Sequence, residues 1–175
     1  THSGVFFGET PAALVRDGGA AAGTALNFSK FADPVVSATG DVAFKASLLA
    51  APKGTGDGIW AHDGSVLRLV ARQQDGAPGI TGAVFSKFSD IALPDDGRVV
   101  FTASLAIGKG GVTATSDSTL WREDGAGGIA LLLREGDPLE VARQYKGRNI
   151  ADLKTSGTLK PFLDKWPGNN VCCAN

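Results

Sequence analysis

The chain has 175 residues, enough for a single domain with a sizeable core. Its 17 Lys and Arg against 18 Asp and Glu give a net charge of −1, with the charges scattered, so no basic stripe marks a nucleic-acid or anionic-membrane partner. No apolar run approaches the roughly 18 residues of a membrane span.

Taken in chain order, Gly4-Val5-Phe6-Phe7 and Ala13-Leu14-Val15-Arg16 predict two short strands, closed by the polar turn Arg16-Asp17-Gly18-Gly19. A stretch rich in aromatic and β-branched residues follows from Phe31 to Val36. After the turn Ala38-Thr39-Gly40, the apolar Val42, Phe44, Ala46 and Leu48 alternate with Asp41, Lys45 and Ser47, the pattern of a half-buried strand. A Gly-rich loop, Ala51 to Gly58, leads to Ile59-Trp60. The turn His62-Asp63-Gly64 then joins a strand over Val66-Leu67-Arg68-Leu69-Val70, because Asp-Gly between apolar runs is the strongest short hairpin signal. Asp96-Gly97 and Asp124-Gly125 mark similar joints, and helical periodicity is nearly absent through residue 138.

These strands recur. Phe28-Ser29-Lys30-Phe31-Ala32-Asp33 reappears 57 residues later as Phe85-Ser86-Lys87-Phe88-Ser89-Asp90, and Gly40-Asp41-Val42-Ala43-Phe44 as Gly97-Arg98-Val99-Val100-Phe101. Gly58-Ile59-Trp60 answers Thr119-Leu120-Trp121, with four extra residues placed in the Gly/Thr/Ser stretch 108–118, where a loop tolerates insertion. A fixed period of this length predicts stacked supersecondary units. The expected fold is all-β: four-stranded antiparallel units of about 57 residues, blade-like, either propeller-like or stacked sheets, about three units with incomplete ends. The β-repeat domain spans 1–138, comprising a partial unit 4–27 and units 28–84 and 85–138; residues 139–175 form a divergent tail or capping segment. Phe31, Phe44, Trp60 and Leu69 are expected to line one interface between units, and Phe88, Phe101, Trp121 and Leu132 the next. In the tail, Leu139–Ala142 and Leu159–Leu163 read as strands, or Leu139–Tyr145 as a short helix; the basic stretch Arg143–Lys165 reads as solvated. A half-unit at one end invites completion by the tail or by a neighbouring chain, so self-association is expected.

Few residues suggest chemistry, and none is assigned a catalytic, cofactor-binding or metal-ligating role. Gly54-x-Gly56-x-Gly58 lacks the Gly-Lys-Ser/Thr and the strand–loop–helix setting of a phosphate loop. His62-Asp63 could pair a base with its orienter, but Asp63-Gly64 is already explained as a turn. Asp33, Asp57, Asp63, Asp75, Asp90, Asp95, Asp96, Asp117, Asp124 and Asp137 read as turn residues whose carboxylates accept backbone N–H groups. Calcium is the alternative ligand for them, although no spaced Asp-x-Asp-x-Asp-Gly loop occurs. Asn27-Phe28-Ser29 matches a glycosylation sequon. Cys172 and Cys173 are adjacent, so free thiols, a strained vicinal bridge and interchain bonds are all open. The chain starts at Thr1 and contains no methionine, from which processing by signal-peptide removal, and hence export, is expected.

The run Phe-Ser-Lys-Phe-x-Asp, Gly-x-x-x-Phe, Gly-Ile-Trp, Asp-Gly and Leu-x-Leu-Val-Ala-Arg over residues 4–138 resembles the bacterial tandem-repeat surface proteins with an Asn-x-x-Gly-x-x-x-Phe motif and variable C-terminal anchors. The motif reads Ser37-Ala38-Thr39-Gly40-Asp41-Val42-Ala43-Phe44 and Pro94-Asp95-Asp96-Gly97-Arg98-Val99-Val100-Phe101, with Ser or Pro at the Asn position. The resemblance implies an exported, propeller-like bacterial protein located extracellularly or at the cell surface, and carries over no catalytic residue. The expected function is a non-enzymatic structural or assembly subunit. A carbohydrate-binding module using loops 50–58 and 106–118 is the first alternative, and a hydrolase on the same scaffold the second.

Overall fold

The computed structural model describes residues 3–7 and 12–137. The chain divides into two compact units, Thr1–Asp137 and Pro138–Asn175, and the described residues all belong to the first. The strands or helix expected within 139–163, the basic stretch 143–165, and Cys172 and Cys173 lie outside the described residues.

The described residues form eleven strands and no helix, and every strand pair is antiparallel. Strands β1 (Gly4–Phe7) and β2 (Ala12–Arg16) make a two-stranded ribbon. Strands β3 (Phe28–Phe31), β4 (Val35–Val36), β5 (Val42–Leu48), β6 (Asp57–His62) and β7 (Leu67–Arg72) make a middle sheet, in which β3 and β4 both pair with β5. Strands β8 (Phe85–Ala92), β9 (Val100–Leu105), β10 (Ser118–Glu123) and β11 (Ile129–Arg134) make a third, in the order β11-β10-β9-β8. None of the three closes on itself.

Corresponding positions pair alike. Phe44 lies opposite Trp60 in the middle sheet, and Phe101 opposite Trp121 in the third. A bulge sits just before the tryptophan of β6 and of β10, and between Val5 and Phe6 in the ribbon. The hairpins between these strands turn at Gly64 and Gly125, whose positive φ values of 85° and 83° suit glycine alone among common residues.

Two differences between the sheets have local causes. The first strand of the middle sheet is broken into β3 and β4 around Pro34, which has no N–H to give the ladder. The third sheet has Ile91 at the matching position, paired with Phe101, and β8 runs unbroken. Leu132, expected in the core, is instead 48% exposed. The β10–β11 bulge puts Leu131 opposite Trp121, as Leu69 is opposite Trp60, and displaces Leu132 outward.

Each of the two larger sheets builds an aromatic face. Phe28, Phe44 and Trp60 are fully buried, with Phe31 half-buried beside them; Phe85, Phe101 and Trp121 are fully buried with Phe88. Phe28 meets Trp60 edge-on at 4.9 Å and 75°, and Phe85 meets Trp121 at 5.1 Å and 75°. Such pairs add about 0.5–1.5 kcal/mol to the burial itself. The indoles satisfy their N–H groups differently: Trp60 donates to the Ala22 carbonyl (2.9 Å), and Trp121 to the Thr119 hydroxyl (2.7 Å).

Candidate functional site

Alternation along the strands gives each sheet a second face. In the middle sheet this outer face carries Ala43, Ile59, Ala61 and Ala71, all buried in one cluster with Phe85, Phe88, Phe101 and Trp121 of the third sheet. The ribbon does the same one step earlier: Val5 and Val15 are buried against Phe28, Phe44 and Trp60. Small aliphatic side chains on one sheet thus meet large rings on the next. The closest polar contacts between the sheets lie along this second seam.

The strongest is an ion pair. Arg68, on β7, donates from Nε to Glu123 Oε1 (2.9 Å) and from Nη2 to Oε2 (3.0 Å), a two-pronged contact with the end of β10. Glu123 also accepts the backbone N–H of the fully buried Val99 (2.8 Å), and Arg68 Nη2 reaches the Gly97 carbonyl (3.1 Å). The hydrogen bonds that Arg68 donates to Glu123, with the negative charge of that carboxylate, hold the guanidinium pKa above its ordinary value, against the opposing effect of burial. Buried Gln73 bridges the same two sheets at their other end, accepting from Asp57 N (3.1 Å) and donating to the Ser86 carbonyl (2.7 Å). Asp95 accepts the N–H of Ala38, its counterpart 57 residues earlier, at 3.0 Å. Lys45 donates to the Ser89 carbonyl.

Of the acidic residues expected in turns, Asp63, Asp96 and Asp124 bind their own backbones, whereas Asp57 and Asp90 lie in strands β6 and β8 and accept the hydroxyls of Ser47 (2.7 Å) and Thr102 (3.3 Å). Asp63 Oδ1 accepts from Ser65 and Val66 (2.9 and 2.8 Å), Asp124 Oδ1 from Ala126 and Gly128 (2.7 and 3.0 Å), and Asp96 Oδ1 from Arg98 (3.2 Å). These backbone donors lower the pKa of all three carboxyls. Among the described residues no three His, Cys, Asp or Glu side chains converge as a metal site requires. His62 accepts the Gly64 N–H on Nδ1 within its own turn (3.1 Å).

Loops 50–58 and 106–118 reach one shared residue: Gln74 accepts from Lys109 Nζ (3.1 Å) and points its amide at the Gly54 carbonyl (3.5 Å). Gly58 belongs to β6, and it is glycine because a Cβ there would stand 2.8 Å from the Trp60 ring. Two open grooves accompany these elements. One, about 410 Å³, lies between β2 and Phe28 and is apolar apart from Arg16; the other, about 280 Å³, is bordered by Lys30, Lys45, Asp57 and Phe88. The second groove also holds Ser47, whose hydroxyl donates to Asp57 Oδ1 (2.7 Å), a hydroxyl beside a carboxylate but with no histidine in the lining. Arg68, Gln73 and Gln74 were not singled out by sequence; each acts across a sheet-to-sheet seam that no local pattern encodes.

The described residues therefore define an all-β protein whose most developed polar chemistry joins one antiparallel sheet to the next. The chain belongs to a family of unknown function (DUF7453), whose sequence profile matches residues 1–164. No curated protein and no solved structure matches it.

Proposed function

We propose that this chain is a non-enzymatic module of tandem, blade-like units that serves as an assembly subunit of an exported surface or extracellular object. The observation that carries this reading is the repeated seam: equivalent positions of successive sheets make equivalent face-to-face contacts, twice in one chain. A propeller-like arrangement of the units is consistent with sheets that stack through faces and not through edges. Stacking of this kind has direction, since an outer face always receives an aromatic inner one, and directional contacts between identical subunits propagate into rings or filaments. Light scattering coupled to size exclusion, with and without reductant, tests it. A multimer is expected, and reductant sensitivity would assign Cys172 and Cys173 to the contact. A 17.9 kDa monomer at high concentration refutes it.

A second reading, carbohydrate binding through loops 50–58 and 106–118, is favoured by the way both loops converge on Gln74. A glycan array without hits counts against it.

A further inference from the structure

We infer that the outer face of the third sheet docks the exposed face of the N-terminal ribbon of a second copy, head to tail. The inference rests on the assembly reading above and names the two surfaces through which assembly proceeds.

The first surface follows from correspondence. In the middle sheet the outer-face residues Ala43, Ile59, Ala61 and Ala71 are all buried beneath the third sheet, with Val70 packed beside them. Their counterparts in the third sheet are Val100, Leu120, Arg122, Leu133 and Leu132, given by the shared register of β5–β6–β7 and β9–β10–β11. Leu132 and Leu133 are 48% and 51% exposed, while Val100, Leu120 and Arg122 beside them are half-buried. The arginine of this face has also moved. The cross-strand pair Ala61–Arg68 of the middle sheet becomes Arg122–Ala130 in the third, so the same two strands again present one guanidinium outward. Arg68 spends its donors on the next sheet. Arg122 binds Asp96 through Nη2, but its buried Nε has no partner among the described residues.

The second surface is the inner face of the ribbon. Its outer face, Val5 and Val15, is already buried on the middle sheet. The opposite face carries Phe6 paired with Ala13, at the places of Trp60 and Leu69, and Phe6 is 62% exposed. This is the kind of face that an outer face receives twice within the chain. The sizes match as well. Where the outer face is small (Ala43, Ala61, Ala71), its partner is crowded with rings; where it is large (Leu120, Arg122, Leu133), the ribbon offers only Phe6 and Ala13 across the two strands. The contact continues, between copies, a seam already made inside one copy, and it is heterologous, so it repeats.

The test uses the full chain with Phe6→Glu or Leu133→Glu, each blocking one end, measured by light scattering alone and as an equimolar mixture, with circular dichroism to establish folding. Wild type is expected to form multimers and each variant a monomer. The mixture should give a 1:1 dimer, because each variant keeps the end the other has lost. Folded variants that assemble like wild type overturn the inference while leaving assembly itself standing, as does a mixture that stays monomeric. A monomeric wild type removes both. If a glutamate variant fails to fold, Phe6→Ser and Leu133→Ser replace it; each is expected to raise the association Kd at least tenfold, and an unchanged Kd overturns the inference.

Discussion

Replacing Glu123 by alanine removes the acceptor for three donors at once, and the structure sets the size of the effect. Val99 N–H is fully buried and loses its 2.8 Å partner, which costs about 1–3 kcal/mol. Arg68 loses both prongs of its ion pair, but its side chain is 32% exposed. Water therefore solvates the orphaned guanidinium, and its share is nearer about 1 kcal/mol than the roughly 3–5 kcal/mol of a fully buried pair. The expected destabilisation is about 3 kcal/mol, a fall in Tm of roughly 10 °C for a folded unit of this size. Glu123→Gln keeps one carbonyl oxygen for Val99 and should lose only about 1 kcal/mol. The assay is urea denaturation of Glu123→Ala, Arg68→Ala and the double variant, which isolates the coupling between the two residues. A coupling of at least about 1 kcal/mol is expected. A Glu123→Ala protein within about 0.5 kcal/mol of wild type, or strictly additive single effects, would refute the idea that this pair fastens the middle and third sheets.

Phe28→Ala and Phe85→Ala should each cost about 3–5 kcal/mol and agree closely, because both rings are fully buried in matching aromatic settings; chemical denaturation that separates them by more than about 2 kcal/mol would show the settings to be unequal. Gly58→Ala drives a Cβ to 2.8 Å from the buried Trp60 ring and 3.0 Å from the Ala71 carbonyl, so about 2–3 kcal/mol should be lost. Gly64→Ala meets open space at φ +85° and should lose only about 1 kcal/mol; equal melting temperatures for the two variants would contradict the packing argument. The carboxyls of Asp63, Asp96 and Asp124 have lowered pKa values in the folded chain, so their stabilisation is complete above the unfolded value of about 3.9 and is lost as pH falls through the lower folded values. Tm followed against pH should be insensitive to these groups above about pH 5 and decline below about pH 4, less steeply in Asp63→Asn/Asp96→Asn/Asp124→Asn; an unchanged acid limb in that variant would show that these groups do not contribute.

Much of the strand pattern was legible because hairpins are local. Asp63-Gly64 and Asp124-Gly125 announced their turns, and the alternation from Val42 to Leu48 announced a strand; both stand in the structure, although the strand is buried on its second face too, at Ala43. One error of register came from a bulge, which exchanges Leu131 for Leu132. Pro34 interrupts a strand whose counterpart continues through Ile91. The Arg68–Glu123 pair was illegible for a different reason. A repeat directs attention to what recurs, and this pair occurs once among the described residues: His62 stands where the third sheet has Glu123, and Ala130 where the middle sheet has Arg68. Its partners are 55 residues apart on different sheets, a distance no local pattern spans. The outer faces were missed because alanine carries little hydrophobic signal; Ala43, Ala61 and Ala71 matter for how closely they let a neighbour's rings approach.

Within each of the two larger sheets, every strand hydrogen-bonds to strands near it in the chain, and no strand is borrowed from elsewhere. A sheet is therefore one uninterrupted stretch of polypeptide. Duplicating or deleting that stretch adds or removes a whole sheet without cutting a strand pair, and the newcomer arrives with one face ready to accept and one ready to be accepted. The connecting loop can likewise change length without cost to the pairing: four more residues separate Phe101 from Trp121 than Phe44 from Trp60, and both Phe–Trp pairs lie in the same register.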